Sequence, residues 1–392
     1  MYSYKSYTCS CYKQEIGMIK NIFSFVLLII GLVSCSSDGD GTDVPPKDEV
    51  NLQCTPMELS FGAEDNLTSS ISVSCNREWT AYSNEAWIEC KVSGNMVSVT
   101  VPVNDKYEER TGSVIVKAGS TRETIAVKQA PKPELETGDI VVPEGYRLVW
   151  HDEFDDKSID MPDTNNWYYE TAEPGWVNNE LQTYIAGKKG DIQTAEISHG
   201  SLKIRAIKDG DRVYSARLNT RGEGGKAGKG WKYGYFEASL KLPVGKGTWP
   251  AFWMMPVASS NWPDCGEIDI MEEVGCVPNE VSSSIHCKAY YHAINTQKTA
   301  KKTLQGAQTE FHTYALEWDE TEIKTYVDGV LLFRYKPEDH GQRNEQTWPF
   351  DKEFELKLNL AWGGDWGGMM GVDESCLPAT YEIDYVRVFQ KK

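Results

Sequence analysis

The chain is short of positive charge. In 392 residues, 40 Lys and Arg stand against 58 Asp and Glu, a net charge of −18. A duplex presents about one negative charge per 1.7 Å, so this balance argues against nucleic acid as a partner. None of the ten cysteines forms a C-x-x-C pair, which argues against a zinc ribbon. The longest apolar run, residues 22–33, falls short of the roughly 20 residues that span a bilayer. No long amphipathic helical pattern follows residue 146. The glycine-rich stretch 363–368 lacks the Lys and the following helix of a phosphate loop, and is expected to be flexible. With 40% hydrophobic and 25% charged residues, disordered and collagen-like classes are also excluded.

What is present starts with an export pattern. Lys20 precedes the apolar run, which ends Leu32-Val33-Ser34-Cys35. These residues resemble a bacterial lipobox, with Met18 as the expected start, 1–34 as the signal and Cys35 as the acylated residue. The alternative is an ordinary cleaved signal with an incidental Cys. Residues 35–49 are rich in Ser, Asp, Gly and Pro, as suits a tether. Their Ser36-Ser37-Asp38-Gly39-Asp40 tract resembles surface-export tracts of Bacteroidetes lipoproteins. The expectation is a cell-surface, outer-membrane lipoprotein held to the membrane through Cys35. Export permits disulfides, but the cysteine spacing fixes no pairing, and free buried thiols are equally open.

Residues 50–130 read as short strands. Ile71, Val73 and Cys75 alternate with Ser70, Ser72 and Ser74, and turns are signalled at Gly94-Asn95 and Gly119-Ser120. The spacing predicts a small immunoglobulin-like β-sandwich. Trp79, Glu85-Ala86-Trp87-Ile88, Arg110-Thr111-Gly112 and Val127-Lys128-Gln129-Ala130 resemble a BACON domain. That family implies carbohydrate binding, but no exposed aromatic row demands it. Trp79 and Trp87 are expected in the core and the segment is expected to act as a spacer. Residues 131–143 read as a linker.

From 144 to 392 strand follows strand. Phe236, Ala238, Leu240 and Leu242 alternate with polar neighbours, as do Tyr314, Leu316 and Trp318, and Leu356, Leu358 and Leu360. Asp209-Gly210 and Asp328-Gly329 mark hairpins. So large an all-β unit predicts two stacked antiparallel sheets.

The informative stretch runs from Trp262 through Gly266-Glu267-Ile268-Asp269-Ile270-Met271-Glu272-Glu273. Strand side chains alternate, so Glu267 and Asp269 share a face and Glu272 falls on the other. One β-bulge between Asp269 and Glu272 returns Glu272 to the first face. Two glutamates flanking an aspartate in one row suit glycoside hydrolysis with retention. Crowding three acids raises at least one pKa and keeps one carboxyl protonated. Without a bulge, Glu273 competes for the position of Glu272. A solvated acidic face is the bland alternative, and Glu382-Ile383-Asp384, with no acid at the fifth position, shows that Glu-x-Asp alone is a weak signal.

Together with Trp150-His151-Asp152-Glu153-Phe154, Asn179-Glu180-Leu181-Gln182-Thr183-Tyr184, Trp249-Pro250-Ala251-Phe252-Trp253 and Glu382-Ile383-Asp384-Tyr385-Val386, this stretch resembles glycoside hydrolase family 16 in its laminarinase-like branch. The resemblance implies a β-jelly-roll with a concave cleft. It implies Glu267 as nucleophile, Asp269 as its assistant and Glu272 as acid/base, with His286 hydrogen-bonding the acid/base region. Sugar contacts would come from Asn178, Asn179, Glu180, Arg217, Trp231, Trp249, Trp253, Trp262 and Trp362, each of the aromatics having core burial as its alternative. No cofactor is implied for catalysis. A structural calcium is implied at Glu153, the backbone of Gly200 and Asp384. The expected activity is endo-hydrolysis of a β-glucan containing 1,3 links, mixed-linkage 1,3-1,4 glucan slightly ahead of laminarin, by a monomer. A non-catalytic glycan-binding protein that keeps the cleft is the competing class.

Overall fold

A computed structural model describes residues 49–222, 228–258 and 261–392. The expected signal at 1–34, Cys35 and the tether as far as residue 48 lie outside the described residues. Eight strands between Leu52 and Gln129 form two four-stranded sheets. In Leu67–Cys75, Ile71 and Val73 are buried and Ser70, Ser72 and Ser74 exposed, as the alternation predicts. Chain reversals fall at Gly94-Asn95 and Gly119-Ser120. Trp79 and Trp87 are half-buried rather than core. The cysteines of the described residues, Cys54, Cys75, Cys90, Cys265, Cys276, Cys287 and Cys376, are all free thiols.

The larger compact unit holds Ala126–Lys392 together with Glu58–Thr68 and Thr100–Gly112. The strand Glu58–Phe61 belongs to it because it pairs in parallel with Ala126–Gln129. The expected linker is partly fastened here: Ile140 and Val142 pack on Tyr146, Leu148 and Phe389.

Two large sheets build this unit. The seven-stranded one carries the site, and its strands are numbered in chain order: β1 Tyr168–Tyr169, β2 Arg217–Asn219, β3 Thr248–Pro256, β4 Glu267–Glu272, β5 Glu280–His286, β6 Lys298–Thr303 and β7 Phe354–Trp362. Their spatial order is β1-β2-β7-β3-β4-β5-β6, and every pair is antiparallel. The ten-stranded sheet includes Ser201–Asp209, Gly234–Lys241, His312–Trp318 and Ala379–Lys391. One apolar cluster joins the two: Phe252, Met254, Ile268, Leu356, Leu358 and Leu360 from the first meet Phe236, Ala238, Leu316, Ile383 and Val388 from the second. This is the stacked pair of sheets that the alternating sequence predicts. The Asp209-Gly210 and Asp328-Gly329 hairpins connect neighbouring strands of the larger sheet, with Gly210 and Gly329 at φ 58° and 73°.

Strand β7 departs from simple alternation. All nine of its residues are buried. Leu356, Leu358 and Leu360 face the core, while the intervening Glu355, Lys357 and Asn359 are covered on the other face by the cleft's own side chains. The 363–368 stretch is not a loose loop. Residues Gly364–Gly367 make one helical turn, and a side chain at Gly364 would strike the Asn178 carbonyl oxygen 2.7 Å away.

Candidate active site

The acidic strand contains the predicted bulge. On its β3 side, Asp269 sits opposite Trp253, Met271 opposite Phe252 and Glu272 opposite Ala251. On its β5 side, Asp269 pairs with Ser284 and Glu272 with Ser282. Ile270 is the extra residue. Ile268, Ile270 and Met271 all bury against the core, while Glu267, Asp269 and Glu272 line one cleft of about 350 Å³. Glu273 turns away from the cleft. It is fully buried and accepts from the Asn279 backbone N–H at 2.6 Å and from Gln308 at 3.2 Å, so it has no access to a ligand there.

Burial dominates the electrostatics of this row. It pushes Glu267, Asp269 and Glu272 each up to about 8, and the Asp269 charge adds to the rise at both glutamates. Three carboxyls in so dry a row cannot all ionise near neutral pH. Opposing this, His286 and Arg217 favour charge on Glu267, and Asp269 is hydrogen-bonded to Glu267. At the other end, the Trp249 indole N–H donates to Glu272 Oε1 at 3.0 Å.

His286 sits elsewhere than the resemblance implies. It pairs across the strands with Glu267, and its Nε2 lies 3.2 Å from Asp269 Oδ2 and 3.9 Å from Glu267 Oε1. Its direct contacts are therefore at the Glu267–Asp269 end, while at Glu272 it acts only through its charge. Glu267, Asp269 and His286 offer ligand atoms within 4.8 Å of one another, a grouping that could hold a metal ion.

The cleft walls come from β3, β7, β2 and the 175–180 loop. Asn178, Glu180, Arg217, Trp249, Trp253 and Trp262 all line it. Trp249 and Trp253 share a face of β3 four residues apart, as the sequence predicts. Trp253 donates to Asn359 Oδ1 at 2.7 Å, Asn359 donates to the Tyr184 hydroxyl at 3.2 Å, and Tyr184 donates to Glu180 Oε2 at 3.2 Å. Gln182 and Asn178 donate to the same carboxylate. This connected network fixes the wall before a ligand arrives. Beside it, Glu170 bridges Arg217 and Lys357, and Lys357 reaches Glu355 at 3.0 Å. Together the two cations hold the Glu170 carboxyl down to about 2 against the opposing effect of burial.

Three expected sugar contacts are not there. Trp231 is buried, with its ring centroid 5.4 Å from that of Trp150 and 6.3 Å from that of Phe236. Trp362 is 1% exposed and belongs to the same core. Both sit where their apolar area is best removed from water, between the sheets. Asn179 is exposed, and its amide donates to Asp365 instead of pointing into the cleft. Conversely, Val177, Ala251, Met255, His292 and Asn359 line the cleft without having been singled out from the sequence. For Asn359 the signal was present: Glu355, Lys357 and Asn359 alternate with three leucines.

The residues implied for calcium fit poorly. Arg387 donates to both oxygens of Glu153, at 2.9 and 2.7 Å, and His151 lies 3.2 Å from Oε1. A hard cation needs oxygens that no other cation holds. Gly200 occupies a positive-φ turn and Asp384 is half-buried on the strand Ala379–Lys391. The ion pair itself has a pH signature. Although burial opposes it, pairing with His151 and Arg387 holds the Glu153 carboxyl down to about 2 from its ordinary 4.5. Its contribution to stability is therefore complete above about pH 4.5 and is lost as pH falls toward 2. Glu153→Gln is expected to cost about 2 kcal/mol at pH 7, the worth of a charged hydrogen-bonded pair, and little near pH 2. Thermal melts at both pH values measure this, and an equal loss at each would contradict it.

Comparison with known proteins agrees with the site. The family model for glycosyl hydrolases family 16 matches residues 181–387, and that for a viral BACON domain matches residues 51–132. A β-glucanase of Rhodothermus marinus is 42% identical over 254 residues, 62% of this chain and 85% of that protein. A glucan endo-1,3-β-glucosidase of Cryptopygus antarcticus is 32% identical over 258 residues, 61% of this chain and 90% of that protein. The solved structure of the Rhodothermus marinus laminarinase superposes with a TM-score of 0.58 at 41% identity, covering 63% of this chain and 98% of the other. With more than half its length matched by the family model, an all-β cleft of the same architecture and a BACON-type segment ahead of it, the chain belongs to glycosyl hydrolase family 16, in its laminarinase-like group, and is a glycoside hydrolase.

Proposed function

We propose that this enzyme cuts β-glucans containing 1,3 links in the interior of the chain, with retention at the anomeric carbon. One observation carries the reading: Glu267, Asp269 and Glu272 share a face across the Ile270 bulge, in a cleft flanked by Trp249, Trp253 and Trp262. A Glu267 oxygen attacks the anomeric carbon while the Glu272 proton passes to the departing glycosidic oxygen. The bond breaks and a glycosyl ester on Glu267 remains. Water then attacks the same carbon, returns a proton to Glu272 and frees Glu267. Asp269 and His286 hold the Glu267 carboxylate in line. Arg217 supports the charge of Glu267, while burial keeps Glu272 protonated.

Laminarin and mixed-linkage 1,3-1,4 glucan both fit, since the same acids would cut either. Relatives described as laminarinase and as a non-specific endo-β-1,3(4)-glucanase support that breadth. The segment before the catalytic unit is proposed as a spacer, and the chain as a monomer anchored at the cell surface through Cys35. The experiment is hydrolysis of laminarin and barley β-glucan by purified protein, read as new reducing ends and product lengths. Early oligosaccharides of several lengths are expected. Affinity without hydrolysis of either polymer would favour a glycan-binding role instead.

A further inference from the structure

Trp176 stands out among the exposed apolar residues: it is 50% exposed and yet lies against a buried cation. A single exposed aromatic ordinarily needs no explanation. Here the Arg217 guanidinium carbon lies 4.8 Å from the ring centroid of Trp176 and 4.8 Å from that of Trp253, so one cation bridges both indoles. Arg217 is itself 8% exposed and held by Glu170. The next two residues after Trp176, Val177 and Asn178, already line the cleft.

The loop that presents the ring is rigid. Gly175 N–H donates to the Glu180 carbonyl at 2.7 Å, Glu180 N–H to the Val177 carbonyl at 3.0 Å, and Asp365 N–H to the Asn178 carbonyl at 2.8 Å. An indole held this way gives up little freedom on binding a flat partner.

Its place along the cleft follows from strand register. Glu272, Ala251, Asn359 and Arg217 lie side by side across β4, β3, β7 and β2. The backbone of Arg217 is therefore three strand spacings, about 14 Å, from that of Glu272, and its side chain reaches back toward Trp253. Trp176 flanks that distant end.

We infer that Trp176 is a distal glycosyl-binding platform, which extends the cleft beyond Arg217 by stacking on the apolar face of a sugar remote from the cut. The inference rests on the glucanase reading. It assigns Trp176 to chain-length recognition and to no chemical step. Nothing in the position of Trp176 touches Glu267 or Glu272.

The test uses the full chain carrying Glu267→Gln, so that ligand is bound and not consumed. Laminaritriose and laminarihexaose are titrated by calorimetry with and without Trp176→Ala. Loss of Trp176 is expected to weaken hexaose about 5–10-fold, the scale of one aromatic contact, and to leave triose unchanged. Trp176→Phe should recover most of the hexaose affinity. In the otherwise wild-type enzyme, Trp176→Ala should raise KM for laminarin and leave kcat unaltered. Equal hexaose affinity with and without the indole overturns the inference. So does equal weakening of both ligands, which would mean that Arg217 had simply moved. Should the alanine variant not fold, Trp176→Gln and Trp176→Phe carry the same comparison. If the parent protein binds neither oligosaccharide, the glucanase reading fails and takes this one with it, an outcome distinct from hexaose binding that ignores Trp176.

Discussion

Glu267→Gln should leave a folded protein whose hydrolysis of laminarin is at least about 10⁴-fold slower, because an amide oxygen cannot form the glycosyl ester on which both half-reactions depend. The substitution is nearly isosteric and removes a charge that burial already opposes. Thermal stability should therefore hold or rise while activity disappears. That pairing separates a chemical role from a structural one. Activity within about 10-fold of wild type would require another nucleophile, and the proposed chemistry would have to be abandoned.

Glu272→Ala should behave differently. It removes the proton donor and also leaves the Trp249 indole N–H without its acceptor. With a polysaccharide, whose departing alkoxide needs that proton, the rate should fall about 10³-fold. With an aryl β-glucoside oligomer whose leaving group is already acidic, the first step should survive, and the ester on Glu267 should accumulate. Azide needs no general base, so it should restore turnover and give a glycosyl azide of β configuration. No such rescue is expected in Glu267→Gln. If azide instead gave a β-configured product with Glu267→Ala and an α-configured product with Glu272→Ala, the two roles would be exchanged.

These expectations depend on an arrangement that is partly readable from the residues. The odd step between Asp269 and Glu272 calls for one unpaired residue if both acids are to face a ligand, and Ile270 is that residue. The alternations at Phe236–Leu242 and Leu356–Leu360 expose the two stacked sheets, since each apolar row must be covered by another. The aromatic residues are less legible. Trp231, Trp362, Trp249 and Trp253 carry the same side chain, yet the first two bury in the core and the last two face the cleft. Strand parity alone does not say which face belongs to which sheet until the neighbours are known. Partnerships across sequence distance are also invisible locally. His286 lies opposite Glu267 because of the register between β4 and β5, and this register places it at the Glu267 end of the row. Arg217, Glu170 and Lys357 come from three separate strands or their ends, and nothing in their spacing announces that they form one buried ion-pair network.

Stereochemistry is the most direct test of the shared face. Proton NMR of laminarin hydrolysis by the wild-type enzyme resolves the anomeric signals before mutarotation mixes them. Attack by Glu267 followed by water from the same side predicts that the β-anomer forms first, with the α-anomer growing in later. Initial appearance of the α-anomer would mean a single displacement by water, and would contradict the assignment of Glu267 and Glu272 as a nucleophile and acid/base pair.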